Sequence, residues 1–219
     1  MARRSTETAG PRPAALDPVE IETSQGLARA HIAPAAAARG ALVLGHGAGG
    51  GVGAPDLRAA TAAALDHRFS AVLVEQPYRV AGRRAPAPAP RLDAAWIEVM
   101  DWLGQNLLAE LPLVSGGRSM GARVACRTAS QTGVAGVLCL AFPLLPPRRA
   151  ASAKEPRSRL DELESVAVEV LVVQGRGDPF GMPPPGPARA VVQVDGNHSL
   201  RSDLPAVGAA VGDWLSTVL

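Results

Sequence analysis

Residues Gly117-Arg118-Ser119-Met120-Gly121 set a serine between two glycines, each two positions away from it. A short apolar run, Leu111 to Val114, precedes this segment, and a run of small and apolar residues, Ala122 to Ala129, follows it. A G-x-S-x-G pattern in that context reads as a sharp strand-to-helix turn that lifts a serine hydroxyl above the end of a sheet. Neighbouring backbone crowds such a turn, which is why glycines flank it. In a chain with 23 glycines the same pattern also fits an ordinary Gly-rich turn at a helix start. The remainder of the chain has to decide between the two.

Before the motif, Val19 to Thr23 alternates apolar and polar residues, Ser24-Gln25-Gly26 reads as a turn, and Leu27 to Ile32 returns as a second strand, so a hairpin opens the fold. Ala41 to Leu44 and Ala71 to Val74 are continuous apolar runs, as parallel strands buried on both faces show. A helix is expected between them from about Pro55 to His67, with Pro55 in its first turn. Arg79 to Pro90 reads as a loop rich in Arg, Ala and Pro. Leu92, Ala95, Trp96, Val99, Met100, Leu103 and Leu107 mark one face of an amphipathic helix. After the motif, strands are expected at Val134–Leu140, Val168–Gln174 and Ala190–Val194, with a short helix near Arg159–Leu163 and a final one over Leu204–Thr217. Strands alternating with helices imply an α/β fold: a mostly parallel sheet with helices on both faces and an antiparallel hairpin at the N-terminal edge.

The chain of 219 residues suits one sizeable core. Residues 1–17, polar and Pro-containing, read as a disordered tail, and 18–219 as one domain with no insertion long enough for a lid. Aromatics are 3% of the chain, so the core must be built from Ala, Val and Leu. A net charge of +2 gives no reason to expect nucleic acid. Cys126 and Cys139 lack metal-ligand spacing and fall in core elements, as buried free thiols of a reducing compartment do. The N-terminus lacks the apolar segment of a signal peptide, and no run approaches a membrane span, so a soluble cytoplasmic protein is expected.

A serine hydroxyl becomes a nucleophile only when a base accepts its proton and a third group orients that base. Ser119, Asp178 after the penultimate strand and His198 after the last strand occur in the chain order of α/β-hydrolases. Asp195 competes for the acid's role but lies only three residues from His198 in the same turn. An oxyanion needs two preorganised N–H donors. Met120, following the nucleophile, supplies one; Ala48, with Gly49 next, supplies the other from the loop after the first long buried strand, where His46 shapes the turn. His31 is read as structural or solvent-exposed, and among the four histidines only His198 follows the last strand. This chemistry calls for no cofactor and no metal. The loop also carries Gly49-x-Gly51-x-x-Ala54, a dinucleotide-like pattern, with Glu75 ending the next strand. A nucleotide site in the Gly49–Gly53 loop would leave the serine turn and the Asp and His turns unexplained.

Gly45 to Gly50, Gly116 to Arg123, Phe142 to Pro147, Gln174 to Gly181 and Gly196 to Leu200 together resemble a small α/β-hydrolase family, the branch of testis-expressed and NSL-complex-subunit homologues, related to the dienelactone hydrolases. The resemblance spans residues 17 to 218. It implies a lid-less α/β-hydrolase fold with Ser119, His198 and Asp178 as catalytic residues. The function expected is hydrolysis of a small carboxylic ester or thioester. A binding or scaffold protein that keeps the fold without turnover is the alternative, since some members look like scaffolds. The elbow carries serine where dienelactone hydrolases carry cysteine, so their particular activity does not transfer. Arg79, Arg83 and Arg84, and Arg148, Arg149, Arg157 and Arg159, lie in loops leaving the same sheet edge. Arginine suits carboxylate or phosphate recognition, while a solvated loop surface is the plainer reading.

Overall fold

A computed structural model describes residues 17–147 and 157–219. Arg148, Arg149 and nearly all of the expected N-terminal tail lie outside the described residues. Eight strands form one sheet in the order β1-β2-β4-β3-β5-β6-β7-β8. The hairpin of β1 (Val19–Thr23) and β2 (Gly26–Ala33) is antiparallel, and β2 joins β4 (Phe69–Glu75) antiparallel as well. From β4 onward, β3 (Gly40–Gly45), β5 (Leu113–Arg118), β6 (Gly136–Leu140), β7 (Glu169–Gly175) and β8 (Arg189–Val194) are parallel. This is the α/β-hydrolase fold.

The continuous apolar runs serve two cores at once, because successive strand residues point to opposite faces. Leu42, Leu44, Leu138, Leu140, Leu171 and Val173 face α1 (Pro55–Asp66) and α6 (Leu204–Leu215), which add Leu57, Ala60, Ala64, Val207, Val211 and Leu215. Val43, Val72, Val137, Val170 and Val172 face α3 (Ala89–Gln105) and α4 (Met120–Thr132), which add Trp96, Val99, Met100, Leu103, Val124 and Ala125. A fifth, short helix, α5 (Leu160–Glu164), packs on α4.

Two expectations need correction. The Arg/Pro-rich segment begins with a one-turn helix, α2 (Pro77–Val80), before the loop, because Pro77 supplies the first-turn conformation and the Tyr78 side chain is buried. Leu107 does not join the apolar face of α3. The helix stops at Gln105, and Leu107 is left 49% exposed. Among the described residues no helix is long and apolar enough to cross a membrane.

Cys126 on α4 and Cys139 on β6 are both buried and free, with their sulfurs 3.5 Å apart. The hydrogen bond shared with Cys126, together with burial, pushes the Cys139 thiol well above its ordinary pKa and deprives it of reactive thiolate. Both thiols of the native protein are therefore expected to react slowly with a thiol reagent and rapidly after denaturation. Fast native labelling of the pair would contradict their placement.

Candidate active site

The elbow is built by close backbone packing. A Cβ on Gly117 would lie 2.5 Å from the Gly45 carbonyl oxygen, and one on Gly121 would collide with the same oxygen. Only glycine lets β5 and the first turn of α4 approach β3 this closely. Ser119 is pinned between them with φ 53° and ψ −105°, a conformation that costs a non-glycine residue about 1–3 kcal/mol. Its hydroxyl thereby stands at the C-terminal edge of the parallel strands, where α4 begins.

His198 Nε2 lies 2.9 Å from Ser119 Oγ, and His198 Nδ1 lies 2.8 Å from Asp178 Oδ2. The Asp178 side chain is fully buried and that of His198 is 19% exposed. The Phe180 N–H donates to Asp178 Oδ1 at 2.9 Å, and the Gln174 amide donates to Oδ2 at 2.9 Å. The carboxylate is thus held on both oxygens. An Nδ1–H donated to it leaves Nε2 as the acceptor facing the serine hydroxyl. The edge of the Phe180 ring packs on the imidazole, centroids 4.5 Å apart. Asp195 points elsewhere: its side chain is 76% exposed and pairs with Arg176 at 3.1 Å.

The structure brings Ala48, Gly49, Ser119, Met120 and His198 to the wall of one cleft of about 420 Å³. His46 is fully buried behind that wall. Its Nδ1–H donates to the Gly47 carbonyl at 2.9 Å, and its Nε2 accepts the Gln76 N–H at 3.2 Å. Tyr78 on α2 donates to the Ala48 carbonyl at 3.4 Å. His46 therefore shapes the loop, as its position suggested. Glu75 contacts His31 at 3.1 Å across β4 and β2.

Sequence reasoning missed Arg118, Asp56 and Gln174. Arg118 precedes Ser119 and reaches back from the elbow. Its Nη2 donates to the His198 carbonyl at 3.0 Å, and its Nε lies 2.9 Å from Asp56 Oδ2 in the first turn of α1. The contact is a close ion pair, with the Asp56 carboxylate fully buried and Arg118 18% exposed. Asp56 Oδ1 accepts the Leu57 N–H at 3.0 Å. Burial raises the Asp56 pKa against the opposing pull of Arg118. Gln174 was legible only as the last residue of a strand; its amide nitrogen also lies 3.1 Å from the Phe142 carbonyl and 2.9 Å from that of Gly181.

The expected cationic loops contribute little. Arg157 is exposed and pairs with Asp161, and Arg83 lines a separate cavity beside Gln25 and Tyr78. Of the described arginines singled out from sequence, only Arg159 borders the cleft. Arg118, Arg123 and Arg127 join it there, from β5 and α4. The signal was present in the spacing: Ser119, Arg123 and Arg127 are four residues apart along one helix face.

Replacing Arg118 with Met strands the buried Asp56 charge, and is expected to lower stability by about 3 kcal/mol in urea denaturation. Asp56→Asn in the same chain should restore most of that loss, because the stranded charge is gone. Simple additivity of the two losses would show that they do not act as a pair. Burial lowers the His46 pKa below 6.5. The unfolded chain then binds a proton that the folded one refuses, so His46's contribution is intact above the unfolded value and fades as pH falls through the lowered one. Denaturation midpoints at pH 7.5 and 5.5 should differ less for His46→Gln than for the parent protein.

A family profile described as an alpha/beta hydrolase domain matches residues 38–203. Among curated proteins no match was found. Solved structures agree in fold. An alpha-beta serine hydrolase homologue from Coxiella burnetii is 14% identical, with a TM-score of 0.71 over 93% of this chain and 99% of that one. A serine hydrolase without lid from Xanthomonas campestris is 15% identical, at 0.68 over 92% and 96%. A dienelactone hydrolase from Anabaena variabilis is 16% identical, at 0.73 over 94% and 98%. With three quarters of its length matched by the profile and the fold shared nearly end to end, the chain belongs to the alpha/beta hydrolase domain family.

Proposed function

We propose that the chain is a serine hydrolase, a single lid-less domain that cleaves a small carboxylic ester or thioester through an acyl-enzyme on Ser119. One observation carries this reading: the unbroken contact chain from Ser119 Oγ through His198 to a fully buried, doubly held Asp178. Ser119 attacks the carbonyl carbon as His198 Nε2 takes its proton. The imidazolium that forms is stabilised by Asp178, which keeps its own charge. The oxyanion is received by the N–H groups of Met120 and Ala48, the former at the positive end of α4. Collapse expels the alcohol or thiol with the proton from His198. A water molecule, deprotonated by the same nitrogen, then releases the acid and returns the proton to Ser119.

The second reading is a binding or scaffold protein without turnover. It draws on the resemblance of the five motifs to the testis-expressed and NSL-complex-subunit branch. A nucleotide bound in the Gly49–Gly53 loop is less favoured, because part of that loop borders the Ser119 cleft and Glu75 already contacts His31.

A fluorophosphonate is expected to modify Ser119, with the adduct mapped by mass spectrometry to the peptide holding Gly117 to Gly121. Ser119→Ala should abolish the adduct while the protein stays folded. His198→Ala should slow labelling by on the order of 10²-fold or more. Asp178→Asn should also slow it, by freeing the wrong tautomer. Asp195→Asn should have little effect, since its side chain is exposed and held by Arg176. A folded protein that resists labelling and hydrolyses no ester of any acyl length would select the scaffold reading. Labelling that persists in Ser119→Ala would mean a different nucleophile.

A further inference from the structure

The cleft at Ser119 has one wall of arginines, and their charges are unequally spent. Arg118 faces Asp56. Arg123 grips Glu162 with Nε at 2.8 Å and Nη2 at 2.5 Å. Arg127 grips Asp93 with Nε at 2.8 Å and Nη2 at 2.6 Å, and reaches Glu162 at 3.4 Å. These forks tie α4 to α3 and α5, and the four side chains are 14–25% exposed. Arg159 differs. It is half-buried in the same wall, and Nη1 donates to the Pro143 carbonyl at 2.9 Å. Among the described residues it faces no carboxylate of its own, because the nearby Glu162 is already held by Arg123 and Arg127. Among the described residues, four guanidinium groups at the cleft are thus matched by three carboxylates, and one positive charge is left over.

That leftover charge sits in a poor place for a cation. Burial, and repulsion from Arg123 and Arg127, lower the Arg159 pKa. A guanidinium confined in this way, with donors to spare, gains strongly from an anion in its plane. Much of the remaining lining is apolar and includes Ala87, Leu92, Met120, Pro143 and Phe180. Along α4, Arg123 lies one turn and Arg127 two turns beyond Ser119, or about 6 and 12 Å of helix rise.

Resting on the hydrolase reading above, we propose that Arg159 binds a carboxylate carried by the substrate, so that the preferred substrates are esters or thioesters with a free carboxylate several carbon atoms from the scissile carbonyl. A single unmatched guanidinium favours a monoanion over a doubly charged phosphate. Arg159 is then a specificity-determining residue: the apolar wall takes the spacer, and the far end is read by charge.

The test compares 4-nitrophenyl hemiglutarate with its neutral near-isostere, 4-nitrophenyl pentanoate. The hemiester is expected to show a kcat/KM at least about tenfold higher at low salt, the usual scale of a charge-assisted hydrogen bond. Added salt should shrink that ratio by acting on the hemiester. Arg159→Gln should bring the ratio to near one, Arg159→Lys should retain part of it, and Arg159→Glu should reverse it. A wild-type ratio near one, or one unmoved in Arg159→Gln, would overturn the proposal. Fluorophosphonate labelling of each variant separates this failure from failure of the hydrolase reading. If the serine is inert and neither ester turns over, glutarate binding by calorimetry decides the matter. Binding that Arg159→Gln removes upholds the site, and absence of binding to the wild type rejects it.

Discussion

The contact on which the site depends is that of Gly117 and Gly121 with the carbonyl of Gly45. It is a backbone-to-backbone approach, with no room for a side chain on either glycine. It fixes how deeply α4 sits against β3, and with it the unfavourable backbone of Ser119. The strain is local and small beside the two apolar cores that clamp the elbow from either face of the sheet. The same approach brings the loop after β3 to the side of Ser119. Relaxing it would move the hydroxyl and the Ala48 segment apart together.

Around that contact the strand ends are tied to one another by buried polar side chains. Arg118 joins the elbow to α1 and to the backbone at His198. Gln174 joins β7 to Asp178 and to the chain at Phe142 and Gly181. His46 joins the loop after β3 to the end of β4. Each sits where an apolar residue would leave backbone groups or a carboxylate without partners, a cost comparable to the bond itself. The geometry of the cleft among the described residues is set by these ties within the sheet edge.

The inner strands β3, β4, β6 and β7 were legible because they are buried on both faces and therefore read as unbroken apolar runs. Asp178 and His198 could be singled out because each follows an expected strand; Asp178, which leaves a neighbouring strand end, is the carboxylate that reaches the histidine, while Asp195 pairs with Arg176. What could not be read were features set by distance in space. β5 continues through Ser115, Gly116 and Gly117, residues with little strand preference, because its neighbours β3 and β6 press so close that a side chain on Gly116 would strike Leu138. The helix α2 is a single turn with no periodicity to detect. The pairing of Arg118 with Asp56 joins residues 62 positions apart, and nothing local in either segment announces it.

The arginine wall also bears on the base. On the proposed mechanism a positive imidazolium forms at His198 in a cleft that four guanidinium groups also line. The carboxylates behind the wall offset those charges one partner at a time: Asp56 beside Arg118, Glu162 against Arg123, Asp93 against Arg127. Asp178 does the same for the imidazole itself. Arg159 is the residue this compensation leaves out. A substrate carboxylate placed on it, as proposed above, would complete the neutralisation of the described groups in the bound complex.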